Sequence, residues 1–153
     1  MVQQMGLNKK LGNILEIFSA AKGYKSGVRP KVKKLHFIKD HGIENDKFAG
    51  KNLDRTVMVV GTKAYDLAAQ NGIDMQYGTL GENILFDFDP HELEIGTIIT
   101  IGEVKLQITE NCTVCSHLSV IKKDLPYLIK EHRGVYCRII QGGEIDKSAI
   151  PFI

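Results

Sequence analysis

Thr97-Ile98-Ile99-Thr100-Ile101-Gly102-Glu103-Val104-Lys105-Leu106-Gln107-Ile108-Thr109 is the stretch that decides the fold. Two runs rich in β-branched residues flank Gly102-Glu103. A glycine first in a two-residue loop suits a type II′ turn, so the stretch predicts a long β-hairpin. Its second strand runs straight into Cys112-Thr113-Val114-Cys115. Working upstream, Thr56-Val57-Met58-Val59-Val60 is a continuous β-forming run, the pattern of a strand buried on both faces. Gly61-Thr62 stops it and opens a helix with Thr62 as N-cap. Asn71-Gly72 ends that helix, since both residues tolerate the left-handed conformation common at helix C-termini. Further back, Asn13 to Ser19 reads as a strand, and Val32, Leu35 and Phe37 mark another. Downstream, Asp124 to Glu131 reads as a short helix with Pro126 near its first turn. Arg133-Gly134 closes it, and Val135 to Ile140 is a further strand. The sum is mainly β with short helices (α+β), a β-barrel-like domain. Residues 1–12 are expected as a flexible N-terminal segment and residues 13–153 as a single domain.

The totals exclude several classes. A chain of 153 residues is long enough to bury its own core. A hydrophobic fraction of 43% and a charged fraction of 25% are ordinary for a globular protein. A formal charge of +2 and a pI of 8.4 fall short of a nucleic-acid-binding footprint. Lys31-Val32-Lys33-Lys34 is the densest basic run, and a solvated strand face accounts for it. No signal-peptide core and no stretch of membrane-spanning length occurs, so no membrane partner and a cytoplasmic location are expected. Three cysteines make an odd number, against a disulfide scaffold.

Those thiols admit several readings. Cys112 and Cys115 have the C-x-x-C spacing of a redox pair, but that reading wants a βαβ setting, and the surroundings are mostly β. A structural zinc needs four ligands, and only one such pair exists. His117, His132 and Cys137 stand nearby in sequence without a standard finger spacing. A third reading makes one thiolate a soft ligand to a thiophilic metal whose other ligands come from a cofactor. Small, buried, inert cysteines are the plain alternative, and for mid-strand Cys137 it is preferred.

Several stretches, in order, resemble the MOSC domain, the C-terminal domain type of molybdenum cofactor sulfurases. Gly42-Ile43-Glu44-Asn45-Asp46-Lys47-Phe48-Ala49-Gly50 is similar to the family's Gly-x-x-Gly-Asp-x-x-Ala-Gly segment. Arg55-Thr56-Val57 resembles its strand-opening arginine, and Gly81-Glu82-Asn83-Ile84 its Gly-Glu-Asn-Leu motif. Thr109 to Leu118 resembles the cysteine loop, with Leu118 three residues after Cys115. Gly134 to Arg138 and Gly142-Gly143-Glu144-Ile145 resemble the closing signature. The resemblance spans roughly residues 13–145. It departs from the family in lacking the Arg and Pro before the loop cysteine, and in reading Asp146-Lys147-Ser148 where Gly-Asp is usual.

The resemblance implies a MOSC-type β-barrel-like domain that binds the molybdenum cofactor, a pterin dithiolene complex. Cys115 then ligates molybdenum, or carries sulfur as a persulfide. Such a protein acts in sulfur transfer and cofactor metabolism or, with an electron-donor protein, in reduction of N-hydroxylated compounds. A non-catalytic sulfur-carrier or interaction module of the same fold is the alternative. Pyridoxal phosphate belongs only to a separate partner cysteine desulfurase. Arg55, Arg133 and Arg138 are candidates for the cofactor's phosphate, because the planar guanidinium fork suits phosphate. A surface salt bridge is the alternative for each. Glu82 and Asn83 are candidates for the pterin edge, or else shape a tight turn with Gly81. Asp46 contacts the cofactor or braces its loop. His117 is close enough in sequence to tune the Cys115 thiol, but a lone histidine is read as a bystander.

Overall fold

The computed structural model describes residues 8–25, 27–113 and 118–153. Along the chain run β1 (Ile14–Ile17), β2 (Leu35–Ile38), β3 (Gly42–Ile43), β4 (Val57–Gly61), α1 (Thr62–Gln70) and β5 (Ile84–Phe86). There follow β6 (Ile98–Ile101), β7 (Val104–Asn111), α2 (Leu125–Ile129), β8 (Val135–Gln141), β9 (Gly143–Ile145) and β10 (Pro151–Phe152). A seven-stranded sheet has the order β1-β5-β4-β8-β7-β6-β10, and β3-β2-β9 forms a smaller sheet. β4 and β5 are parallel, and α1 lies on the crossover between them. The chain just before β1 pairs with β10, through a Lys10–Phe152 bridge and an amide bond from Leu11 to the Pro151 carbonyl at 3.0 Å. Residues 9–17 thus touch both edge strands, and the sheet is a nearly closed, barrel-like wall.

The core explains the sequence pattern. Val57 and Val59 of β4 pack inward with Ile84 and Phe86 of β5 and with Ile99, Leu106 and Val135. Met58 and Val60 pack on the other face, with Leu85, Tyr65 and Ala68, under both helices. Successive strand residues point to opposite faces. A strand sandwiched between barrel interior and helices must therefore be apolar at every position, as β4 is.

The hairpin forms as read: β6 and β7 pair in register from Ile101↔Val104 to Ile98↔Gln107. Gly102 has φ +60°, in the left-handed region that favours glycine. Most element ends fall within a residue or two of expectation, and two differences have a clear physical reason. Thr62 is the first helical residue and Gly61 is the N-cap, with no side-chain cap bond. The reason is register: Gly61 still pairs with Phe86, so it holds the extended geometry a cap requires. Val32 stands outside β2. Its amide instead donates to the Ile17 carbonyl at 3.1 Å, and its side chain packs on the core. Among the described residues no helix is long and apolar enough to cross a membrane.

Candidate functional site

A cavity of about 610 Å³ opens where four segments meet. The segment after β1 gives Lys25, Gly27 and Arg29, and the segment before β4 gives Lys47, Phe48, Lys51, Asn52, Arg55 and Thr56. β4 itself contributes Met58. The turn before β5 gives Thr79, Leu80, Gly81 and Asn83, and the start of β8 gives Arg133 and Tyr136. Six of these lining residues are Lys or Arg, and none is acidic. Such a wall focuses positive potential and favours an anionic ligand.

Asp46 lies behind the wall as a hub. Its carboxylate accepts from the Ser19 hydroxyl at 2.8 Å and from the amides of Ala20 and Phe48 at 3.2 Å each. It also ion-pairs with Arg29 Nη2 at 3.1 Å, with both side chains buried. Asn45, just before it, sits at φ +66°, which turns the chain so that Asp46 points inward. Asn83 is the second brace. Its Oδ1 accepts from the Met58 amide at 3.1 Å, and its Nδ2 donates to the Phe18 carbonyl at 3.2 Å and toward Asp46 at 3.4 Å. Those bonds consume both Nδ2 donors, so the Asn83 side chain ties β1, β4 and the Asp46 loop together.

Glu82 does not reach the cavity surface. It is buried and accepts from the Tyr65 hydroxyl at 2.5 Å and the Gly78 amide at 3.3 Å. The Tyr65 oxygen in turn accepts from the amides of Gly78 and Leu80 at 3.1 and 3.3 Å. This cluster fixes the turn that carries Thr79, Leu80 and Gly81. Burial pushes the Glu82 carboxyl above the usual carboxylate range, although the Tyr65 hydrogen bond works against it. Burial and the Glu82 charge likewise push the Tyr65 hydroxyl far up.

The arginines divide. Arg133 is buried in the cavity wall and donates from Nη1 to the Leu80 carbonyl at 2.8 Å. Arg55 lines the cavity but is half exposed. It holds Glu110 at 2.7 Å and lies over the Tyr136 ring at 5.3 Å. The hydrogen bond to Arg55 lowers the Glu110 carboxyl below its ordinary range. Arg138 is not in the cavity wall. It pairs with Asp54 at 2.9 Å beside a separate small recess that includes His41 and Leu53.

Cys115 and His117 lie outside the described residues. Cys112 is buried, 3.4 Å from the Tyr136 hydroxyl, which is itself raised to about 12, chiefly by burial. Cys137 is a core residue, its thiol pushed up to about 12 by complete burial. His132 pairs with Asp89, and the Gly134 amide donates to His91 Nε2 at 2.9 Å. Burial lowers the His91 pKa, which favours the neutral ring that this amide bond needs. Together these contacts hold the residues on either side of Arg133.

Arg29, Tyr65, Phe48 and Tyr136 were not singled out in the sequence. Nothing local marks Arg29: its burial follows from Asp46, seventeen residues on. Phe48 shows a signal only in retrospect. It stands among basic residues, and Arg29, Lys47 and Lys51 lie within 5.4 to 5.9 Å of its ring centre.

The fold is a barrel-like β-domain with two short helices and a cationic cavity among its connecting loops. The chain belongs to the MOSC domain family, whose model matches residues 33–148. Members of that family are associated with the molybdenum cofactor. Among solved structures, the chain resembles YuaD from Bacillus subtilis with a TM-score of 0.70 at 18% identity, over 95% of this chain and 96% of that one. It resembles YiiM from Escherichia coli with a TM-score of 0.68 at 17% identity, over 92% of this chain and 69% of that one. A structure described as a hypothetical protein gives a TM-score of 0.75 at 17% identity, over 94% of this chain and 67% of that one. At these identities the likeness is one of fold. Among curated proteins, none matches the chain.

Proposed function

We propose that this MOSC protein binds the molybdenum cofactor in the cationic cavity, with Cys115 as its thiolate ligand. Residues 13–153 act as one domain in the cytoplasm. The work is sulfur transfer in cofactor metabolism, or molybdenum-dependent reduction of N-hydroxylated compounds. The partner is a cysteine desulfurase in the first case and an electron-donor protein in the second.

The observation that carries this reading is the cavity wall. Among the described residues, six Lys and Arg side chains and no acidic one line a space of about 610 Å³. That donor set fits a ligand with a phosphate on a planar ring system. Arg55 and Arg133 supply charged donors, the Thr79–Gly81 turn supplies close backbone approach, and Phe48 and Tyr136 supply ring faces. Asp46 and Glu82 act one layer behind and Asn83 within the wall, all three as positioning residues. Arg138 belongs to the outer ion pair with Asp54 rather than to the ligand. When bound, the cofactor supplies a redox-active, thiophilic metal. The chain orients it and keeps its anionic end neutralised.

The test is metal content. Wild type and Cys115→Ser, purified from a host that makes the cofactor, are compared for molybdenum by mass spectrometry and for pterin by fluorescence after oxidation. Wild type is expected to retain both, and the variant to lose most of its molybdenum. No molybdenum in wild type ends the cofactor reading; equal amounts in both end the ligand role of Cys115.

A second reading, a sulfur-carrier or interaction module, draws on one surface. Val120, Ile121 and Tyr127, soon after the cysteine loop, are exposed at 87%, 48% and 72%. A wild-type protein free of molybdenum that gains one sulfur atom on Cys115 from a cysteine desulfurase, read by intact mass, would establish it.

A further inference from the structure

Arg133 stands between two residues tied to one polar cluster, and the function proposed above leaves that cluster unused. His91 Nε2 accepts from the Gly134 amide at 2.9 Å, and the His91 amide donates to Asp89 Oδ1 at 3.0 Å. The other oxygen of Asp89 pairs with His132 Nδ1. The two rings meet edge to face, with 6.2 Å between their centres. One carboxylate therefore serves two histidines, one on either side of the Arg133 backbone.

Gly134 is a poor place to lose a bond. It is buried, and its carbonyl accepts from the Cys112 amide at 2.9 Å. A Cβ there would come 2.8 Å from the Val60 side chain and 3.1 Å from the Val59 carbonyl, so the backbone packs directly on β4. A buried N–H that loses its partner is costly, and here it has no room to turn toward water in place. The start of β8 has to shift instead. Arg133, the residue before, donates from Nη1 to the Leu80 carbonyl at 2.8 Å. A shift at Gly134 is thereby carried across to the turn on the other side of the cavity.

Only a neutral ring can hold that amide. An imidazolium carries N–H on both nitrogens, so a protonated His91 would aim a donor at the Gly134 donor. Among the described residues, the charged groups that act on His91 are Asp89, on its own turn, and His132, on the segment before β8. Asp89 is already engaged by both, and β4, packed against that turn, has no titratable residue. Burial sets the His91 ring below its ordinary value. The stability this neutral ring contributes is complete above the unfolded value of about 6.5 and is lost as pH falls through the folded value.

We propose that His91 is a pH-sensitive latch on the cavity wall: neutral, it holds the Gly134 amide and so keeps Arg133 on the Leu80 carbonyl; protonated, it releases both. The latch is a property of the chain alone. Its consequence, a weaker hold on an anionic ligand in acid, rests on the function proposed above. Titration of exposed groups would do the opposite, since added positive charge favours an anion.

The full chain without cofactor is titrated from about pH 8 to about pH 4.5, followed by the His91 ring nitrogens and the amides of Gly134 and Gly81. The Gly81 amide shares a peptide group with the Leu80 carbonyl, so it reports the Arg133 bond. The expected result is an Nδ1–H tautomer for neutral His91, a midpoint below about 6.5, and a step at that midpoint in both amides. In His91→Gln that step disappears from both. Glu82 adjoins the same turn through the Gly78 amide, and any step it gives Gly81 persists in His91→Gln and is not shared by Gly134. An Nε2–H tautomer, or no step in Gly81 at the His91 midpoint, overturns the proposal. Should His91→Gln fail to fold, His132→Gln takes its place. Removing the neighbouring ring is expected to raise the His91 midpoint and to carry both amide steps with it; amide steps that stay behind overturn the latch. Molybdenum retained by the loaded protein is read at both ends of the pH range. Metal lost in acid from wild type but kept by His91→Gln supports latch and function together, and equal loss from both overturns the consequence for the ligand. A wild type that holds no metal at either pH ends the cofactor reading and leaves the latch to be decided by the amides.

Discussion

Glu82 is fully buried, its Oε2 meets the Tyr65 hydroxyl at 2.5 Å, and its Oε1 has no hydrogen-bond partner among the described residues. Such a carboxyl is held above its ordinary pKa by burial. A raised folded-state value means the native state favours the protonated form. The stabilisation from this group is complete below the unfolded value of about 4.3 and fades as pH rises through the folded value. Wild type should therefore lose stability toward alkaline pH beyond what its exposed groups explain. In Glu82→Gln the amide oxygen can keep the Tyr65 and Gly78 bonds while nothing titrates. The variant's unfolding midpoint in urea should vary less between pH 5 and pH 9 than that of wild type; parallel curves would contradict the assignment. Tyr65, also pushed upward, stays neutral throughout that window and so does not confound it. The sequence marked Glu82 and Asn83 as ligand contacts or turn shapers. Residue type alone cannot separate the two, because the separation depends on whether Tyr65, seventeen residues earlier, reaches back to the carboxyl.

At the scale of elements, legibility followed the length and period of each segment. The five-residue β4 and the β6–β7 hairpin were readable because each carries enough apolar positions to show which faces are buried. β3 and β10 are two residues each and β9 is three, with Gly42, Pro151 and Gly143 inside them. No period can show in so short a stretch, and glycine and proline argue against strand locally. Those strands exist because partners impose them. The turn between α1 and β5 is a similar case with a sharper consequence. Gly78 has φ +97°, and a Cβ there would come 2.9 Å from the Arg29 carbonyl and 3.1 Å from the Phe18 ring. That close approach sets the Arg29 segment against the turn that forms the opposite part of the cavity wall. Gly78→Ala meets both a disfavoured backbone region and a clash with backbone that has no room to yield. It should cost about 1–3 kcal/mol, read as a lowered urea midpoint. Gly72→Ala, at φ +76° but with open space around its Cβ, carries the backbone strain alone and should cost less. Equal losses at the two sites would mean that the Gly78 contact is not tight.

For the whole molecule, the informative contact is the seam where the sheet comes round on itself. The Lys9 amide donates to the Ile153 carbonyl at 2.8 Å, the Ile153 amide to Lys9 at 2.9 Å, and the Leu11 amide to Pro151 at 3.0 Å. β10 in turn pairs with β6 through Pro151↔Ile101 and Phe152↔Thr100. The two ends of the described chain therefore lie side by side and cover the free edge of the β6–β7 hairpin, which without them would present unpaired backbone groups. An exposed edge of that kind, carrying Ile98, Ile99 and Ile101, is a template for pairing with another chain. Shortening the protein after Ala149 removes the seam and leaves the cavity residues in place. The three seam bonds at about 1 kcal/mol each, together with the β10–β6 pairing that is lost with them, put the fall in stability at about 3 kcal/mol or more. Hydrogen exchange at the Lys9 and Leu11 amides should become fast, and the shortened chain should self-associate with rising concentration in light scattering. The chemical shifts of the Gly27 and Gly81 amides should be unchanged below the new melting temperature, because no residue of the seam lines the cavity. Protection at Leu11 that survives the truncation would show that residues 9–11 are held by something other than β10. Shifted Gly27 and Gly81 resonances would show instead that barrel closure and cavity geometry are one cooperative unit.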